Sequence, residues 1–390
     1  MRSSIKRFGA GLSANVVLLA VVSFFVDLSS EIIFPLLPFF MVIQLGASYF
    51  IVGIMEGVAE FIASVIKVFS GHWSDRAGKR KPFITGGYGH SAIMKLFFSL
   101  SAIWQHFFVF RIVERVGKGI REPARDALVA ESTSPKTLGK AFGFQRALDS
   151  GGAILGPIFG IILLAIFATS YQPIFLIAAI PAFVAFGLSL LVKEKRKSKK
   201  DKARVKIGFR FLPIRLRVFV VIATIFAMGN FSFFFVLLRA VDLGQSQAMA
   251  LMFYLLMNIW FATSSIPAGA LSDKIGRVPT IAVGYVFFAA MSFLFAYEIG
   301  AILIAFSFIL FGLSNGFIDG VQRAFVSDLA PEDIKATCLG TYHMSVGIGK
   351  LTASILAGAL WTFFGVQYAF LYGMVLSVMA ATMLTSIMRK

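Results

Sequence analysis

Apolar stretches of about 20 residues, long enough to cross a hydrocarbon core of roughly 30 Å, recur from one end of this chain to the other. Twelve begin near residues 12, 47, 83, 106, 139, 172, 215, 246, 279, 301, 337 and 367, separated by short polar connections. A soluble globule cannot hide that much continuous apolar length. The composition agrees, with 58% hydrophobic and only 14% charged residues, where soluble domains carry roughly 25% charged. Alternating strand-like segments are absent, so helices rather than a closed barrel must satisfy the backbone groups in lipid. The first residues, MRSSIKRFGAGLSANVV, place basic charge before an apolar run that is too long for a signal core and lacks a small-residue cleavage site. A retained first helix is expected.

The net charge of +18 does not point to nucleic acid, because of where it lies. Residues 193–217 hold 12 Lys and Arg against Glu194 and Asp201. The other basic connections, near 72–82, 134–140, 272–279 and 331–335, fall on the same side if the helices alternate, and the opposite connections carry no Lys or Arg. The positive-inside rule then puts both termini and the central loop in the cytoplasm of a plasma-membrane protein. That loop reads as a solvated topogenic linker that could also meet anionic lipid. One cysteine, Cys338, and four scattered histidines give no disulfide framework, metal site or cofactor site.

The chain repeats itself. GHWSDRAGKRKP from Gly71 matches GALSDKIGRVPT from Gly269 at an offset of 198, and the stretch from Gly119 matches that from Gly316 at 197, setting Glu131 opposite Asp328. Two halves of six helices follow, and an even number gives them the same orientation, the parallel repeat of major facilitator transporters. The loop residues Gly71, Asp75, Arg76, Gly78, Lys79 and Arg80, with the copy Gly269, Asp273, Lys274, Gly276 and Arg277, resemble the signature of that superfamily. The resemblance implies an all-α membrane protein of twelve transmembrane helices, with bundles at 1–192 and 214–390 around a central cavity, a linker at 193–213, and a monomer. It also implies a loop that latches and releases as the protein changes facing state. Gly71 and Gly78 permit close approach and a tight turn, and Arg121 and Arg125 are the expected partners of Asp75.

Charges inside the apolar runs are costly, at least about 2.5 kcal/mol each on insertion scales. The first segment has Asp27 and Glu31 on one face. Two such neighbours do not readily both hold charge, which makes the pair a proton site. Pro35 and Pro38 follow, where the helix is expected to bend. The fourth segment carries Arg111, Arg115, Lys118, Glu122 and Arg125 on one stripe, with Glu114 adjacent. Arg111 to Gly119 loosely resembles the superfamily's proton-linked motif RxxQGxG, and Arg111 and Arg115 are expected at the depth of Glu31 and Asp27, paired with them. Glu56 and Glu60 in the second segment join the proton-handling set. Lys118, Arg146, Asp149, Asp319, His343 and Lys350 are candidates for the substrate cavity, with Phe231, Phe234 and Tyr254 as an apolar wall. The second half is poorer in buried charge.

GFQRALDSGGAILGPIFGI, from Gly143, places Gly143, Gly152, Gly156, Pro157 and Gly160 in a spacing similar to the fifth-helix motif of the superfamily's drug/proton antiporters. Gly152, Gly156 and Gly160 form a thin stripe for close packing, expected against the eleventh helix. The resemblance implies proton-coupled export of a small organic compound by alternating access. The alternative is uptake or exchange of an anionic metabolite, with Arg111, Arg115 and Arg146 as counter-ions. No HExxH, GxSxG or GxxxxGK(S/T) signature marks an enzyme or an ATP-driven pump.

Overall fold

The computed structural model describes residues 12–134, 137–168, 170–194, 209–331 and 334–387, without the side chains of Asp75, Phe211 and Ala336. Residues 195–208, most of the basic linker expected to meet lipid, lie outside them, as does the start of the chain. The regular structure among the described residues is helical: α1 Ala14–Gln44, α2 Tyr49–Ala77, α3 Lys81–Ser99, α4 Trp104–Glu131, α5 Leu138–Phe167, α6 Tyr171–Leu190, α7 Ile214–Asp242, α8 Gln247–Ile275, α9 Arg277–Phe295, α10 Ala301–Leu329, α11 Lys335–Phe363 and α12 Val366–Ile387. Among the described residues, 10 helices are long and apolar enough to cross a membrane. The runs near 83 and 106 form α3 and α4, which fall short. α4 carries the charged stripe, and α3 places Lys95 in its interior.

Proline chemistry shows in α1. Its regular part, Ala14–Ile33, gives way to a tight turn at Phe34–Leu36 and a widened turn at Phe40–Gln44, because Pro35 and Pro38 cannot donate to the preceding turn. α7 is interrupted: Ile214–Gly229 and Phe233–Asp242 are helical, and 230–232 are not. Ser232 restarts the helix by accepting from Phe234 N, and the Tyr372 hydroxyl donates to the Met228 carbonyl at 2.7 Å. Polar backbone at such a break is satisfied by neighbours rather than by lipid.

The chain forms two compact units, one from Met1–Leu36 and Val65–Ala203, the other from Leu37–Ser64 and Arg204–Lys390. In the first, α1 packs on α5 and α6, and α3 on α4 and α6. Their apolar core includes Val16, Leu19, Val22, Tyr88 and Leu128. In the second, α8 and α9 pack on α10, and α11 and α12 on α7. Here the filling is aromatic, with Phe226 stacked on Tyr285 at 4.0 Å between ring centroids and Phe231 edge-on to Phe288 and Phe370.

The glycine stripe of α5 faces α1, which corrects the expectation of α11. A methyl group on Gly152 would lie 2.7 Å from the Phe24 carbonyl oxygen, and one on Gly156 would lie 2.8 Å from the Glu31 carbonyl carbon. Only glycine lets the two backbones approach so closely. Gly349 of α11, 197 positions beyond Gly152, packs in the same way on Ala227 and Thr224 of α7. The seam is therefore internal to each unit. α11 makes a separate small-residue contact with the start of α2, where Gly53 meets Ser354 and Gly358 meets Tyr49.

Candidate functional site

The first unit concentrates charge where α1, α4 and α5 meet. Asp27 lies against Gly152, and Arg125, Lys118, Arg121 and Glu122 of α4 are near enough to act on its charge. Asp149 on α5 feels Asp27 first, then Arg125 and Arg146, and its Oδ1 is shielded from solvent without a hydrogen-bond partner among the described residues. Arg125 is the hub. It donates to Ser23 Oγ at 2.9 Å and pairs with Asp126 at 2.9 Å. With its amide turned to suit both partners, Gln145 accepts from Arg125 Nε at 2.8 Å and Nη2 at 3.2 Å. Glu122 pairs with Lys67 of α2 at 2.6 Å and with Lys118 at 3.8 Å.

For Asp27 this differs from the expected pairing in depth. Arg111 and Arg115 are buried over the Phe34 ring, at 4.4 and 4.8 Å from its centroid, and Arg111 pairs with Glu114 at 3.3 Å. The basic residues that act on Asp27 are those one to three turns farther along α4. Glu31, between the two groups, packs its backbone on Gly156. Arg146 is exposed. Glu56 and Glu60 belong to the second unit, on the part of α2 that packs on α11.

Lys95 escaped the sequence reading. It is 1% exposed and donates to Ser29 Oγ at 2.8 Å and Ser30 Oγ at 2.9 Å, two of the three residues between Asp27 and Glu31. A lone lysine in IMKLFF gives no periodic signal. Arg239, 1% exposed, was missed as well. It holds the end of α9 by donating to the carbonyls of Phe295 and Tyr297, each at 3.0 Å, while pairing with Asp242 and with Glu298. A cation over the last carbonyls of a helix is a capping arrangement.

The second unit offers a cavity of about 290 Å³ between α7, α8, α10 and α11. Asn230 enters it from the break in α7, Asn258 from α8, and Asn315 and Gln322 from α10. Tyr342 of α11 donates to Gln322 Oε1 at 2.5 Å, and Gln322 Nε2 donates to the Tyr285 hydroxyl at 2.6 Å, so both ends of this amide are fixed. The candidates Asp319, His343 and Lys350 line it, and Asp319 pairs with Arg323 at 2.6 Å. Its aromatic wall is Phe226 and Phe261. Phe231, Phe234 and Tyr254, expected in that role, are buried in the unit's aromatic packing instead, Tyr254 stacked on Phe233. Sequence position alone does not separate a core ring from a lining ring.

The two signature loops close in the same way. Arg80 donates to Ser74 Oγ at 2.7 Å and pairs with Glu131 at 3.2 Å. Arg277 donates to Ser272 Oγ at 2.5 Å and pairs with Asp328 at 2.9 Å and Asp273 at 2.6 Å. Glu194 also accepts from the backbone N–H groups of Arg80 and Lys81. Asp75 was expected to meet Arg121 and Arg125; its side chain is outside the described residues. Arg121 donates to Ser91 and lies over Tyr88 at 5.1 Å. Gly78 and Gly276 have φ of 62° and 97°, the left-handed region that suits glycine in the turn.

Comparison with known proteins matches the chain to the model of the Major Facilitator Superfamily over residues 19–264 and 218–389. An uncharacterized MFS-type transporter of Methanocaldococcus jannaschii, MJ1317, is 41% identical over 379 residues, 96% of this chain and 94% of the relative. The multidrug resistance protein MdtH of Photorhabdus laumondii is 27% identical over 197 residues, 46% of this chain and 47% of its own. Among solved structures, the nucleoside transporter NupG superposes with a TM-score of 0.77 at 15% identity, covering 97% of this chain and 100% of that one. The POT family transporter PepTSo does so with a TM-score of 0.79 at 11% identity, covering 96% and 97%. These structures share the fold. With family match, relatives and folds in agreement, the chain belongs to the Major Facilitator Superfamily and is a multi-pass membrane transporter, not an enzyme.

Proposed function

We propose that the protein is a proton-coupled secondary transporter that exports a small organic compound by alternating access. In this reading twelve spans form two like-oriented bundles, 1–192 and 214–390, around a central cavity, with the termini and the linker cytoplasmic. The observation that carries it is the charged group where α1, α4 and α5 meet: Asp27 packed on Gly152, Arg125 joined to Ser23 and Gln145, Lys118 beside Glu122, and Asp149 with its Oδ1 shielded from solvent. Adding a proton to one of these half-buried carboxylates changes the net charge of the group. That change biases whichever facing state interacts differently with it, which is how a ligand shifts an equilibrium. The α5 glycine motif supports export, as does similarity to a protein named for multidrug resistance.

The test is solute flux in proteoliposomes under an imposed pH gradient. Asp27→Asn is expected to lower gradient-driven flux roughly a hundredfold while leaving exchange of labelled for unlabelled solute. Gradient-driven flux at the unmodified rate in Asp27→Asn and Asp149→Asn would remove this coupling assignment. The second reading, transport of an anionic metabolite, draws on the buried Arg111 and Arg115 beside Phe34. Counterflow with anions set against lipophilic cations separates the two.

A further inference from the structure

From the cavity of the second unit we infer a recognition site for neutral planar groups carrying a hydrogen-bond donor and acceptor side by side, the chemistry of a carboxamide, imide or lactam. The inference rests on reading this cavity as part of the transport path, and it names the substrate class. Three asparagines and a glutamine reach one cavity of about 290 Å³, near the small end of the volumes usual for small-molecule sites. Each carboxamide presents an acceptor oxygen and a two-proton donor nitrogen.

Gln322 is locked by Tyr285 and Tyr342 and orients the polar floor. Asn258 Nδ2 is shielded from solvent and has no hydrogen-bond partner among the described residues. Burying a donor without a partner is costly, so an acceptor that a ligand brings to Asn258 Nδ2 is favoured. Apolar walls from Phe226, Met257, Phe261 and Ile318 suit a flat body. The ionic groups weigh against a cationic ligand: Asp319 is engaged by Arg323 at 2.6 Å, and Lys350 adds a further positive charge to the lining. A carboxylate ligand could meet Lys350 but would only accept and would leave the asparagine oxygens without a donor, whereas an amide matches donors and acceptors together.

Three nearly isosteric probes separate these cases: benzamide, benzoate and benzamidine, titrated against the purified full-length protein in nanodiscs by calorimetry, with no pH gradient. Benzamide is expected to bind more tightly than either ion, and Asn258→Ala to weaken it about tenfold, the value of one well-placed hydrogen bond. Asn315→Ala is expected to act in the same direction and serves if the first variant unfolds. The inference is overturned if benzoate or benzamidine binds better than benzamide, if none of the three binds, or if neither variant changes benzamide affinity. Proton-driven export of benzamidine without benzamide binding would remove this inference and keep the coupling mechanism. Benzamide binding without proton-driven flux would do the reverse.

Discussion

The contact that joins α4 to α5 in the first unit, Arg125 with Gln145, has its counterpart 197 residues on, where Gln322 meets Tyr342 between α10 and α11. The position is the same within each repeat, and the chemistry is not. One pair carries a full charge next to Asp27 and Asp149; the other is neutral and continues to the Tyr285 hydroxyl. Glu122, paired with Lys67, corresponds likewise to Asp319, paired with Arg323 on its own helix. A duplicated scaffold has kept this contact while one copy holds charged groups and the other holds neutral hydrogen-bonding groups. Such division is open to selection because carboxamide and hydroxyl groups can fill the same space as an ion pair without its desolvation cost.

The largest expected effect tests whether charge handling belongs to the first unit. Asp27→Asn should lower gradient-driven flux roughly a hundredfold, within the range of coupling free energies between sites; flux ratios measured with and without a pH gradient decide it. Next, Gln322→Arg would import the first unit's charge into the second. Beside Tyr285 and Tyr342 an uncompensated guanidinium should cost about 3 to 5 kcal/mol, read as a lower unfolding midpoint in detergent, and wild-type stability would show that this neutrality is incidental.

Smaller effects come from packing and from the loops. Gly156→Ala must push α1 away from α5 and should cost about 1 to 3 kcal/mol. Gly143→Ala, with nothing within 4 Å of the added carbon, should stay within about 0.5 kcal/mol. Equal losses would show that the motif acts as a whole rather than through contact. Smallest are the loop pairs. Double-mutant cycles should give about 1 kcal/mol for Arg80 with Glu131, whose side chains are 9% and 23% exposed, and less for Arg277 with Asp328, at 24% and 52%. Both values should shrink in high salt.

Helix number and type were legible because lipid leaves a long apolar run few alternatives, and the two loops were legible because the repeat wrote them twice. Even there, aligning by letters at 198 sets Lys79 against Arg277, while the contacts set Arg80 against it, each arginine meeting the loop serine and the acid ending the neighbouring helix. The charged stripe of α4 was legible from its spacing, yet which basic residue meets Asp27 depended on depth along two antiparallel helices, and a shift of one to three turns moved the partner from Arg115 toward Arg125. The asparagine cavity left no signal at all, since Asn230, Asn258 and Asn315 come from different helices and share no spacing.

Lys95 has a consequence for how the chain is made. A ribosome delivering α3 and then α4 presents the bilayer with Lys95, Arg111, Glu114 and Arg115, each costing about 2.5 to 3.5 kcal/mol at mid-depth. Neither helix is among the ten that are long and apolar enough to cross a membrane. The hydroxyls of Ser29 and Ser30, already emplaced with α1, give the ammonium its ligands. Nascent α3 should therefore linger beside the insertase until α1 receives it, and a chain lacking α1 should release α3 to the aqueous side.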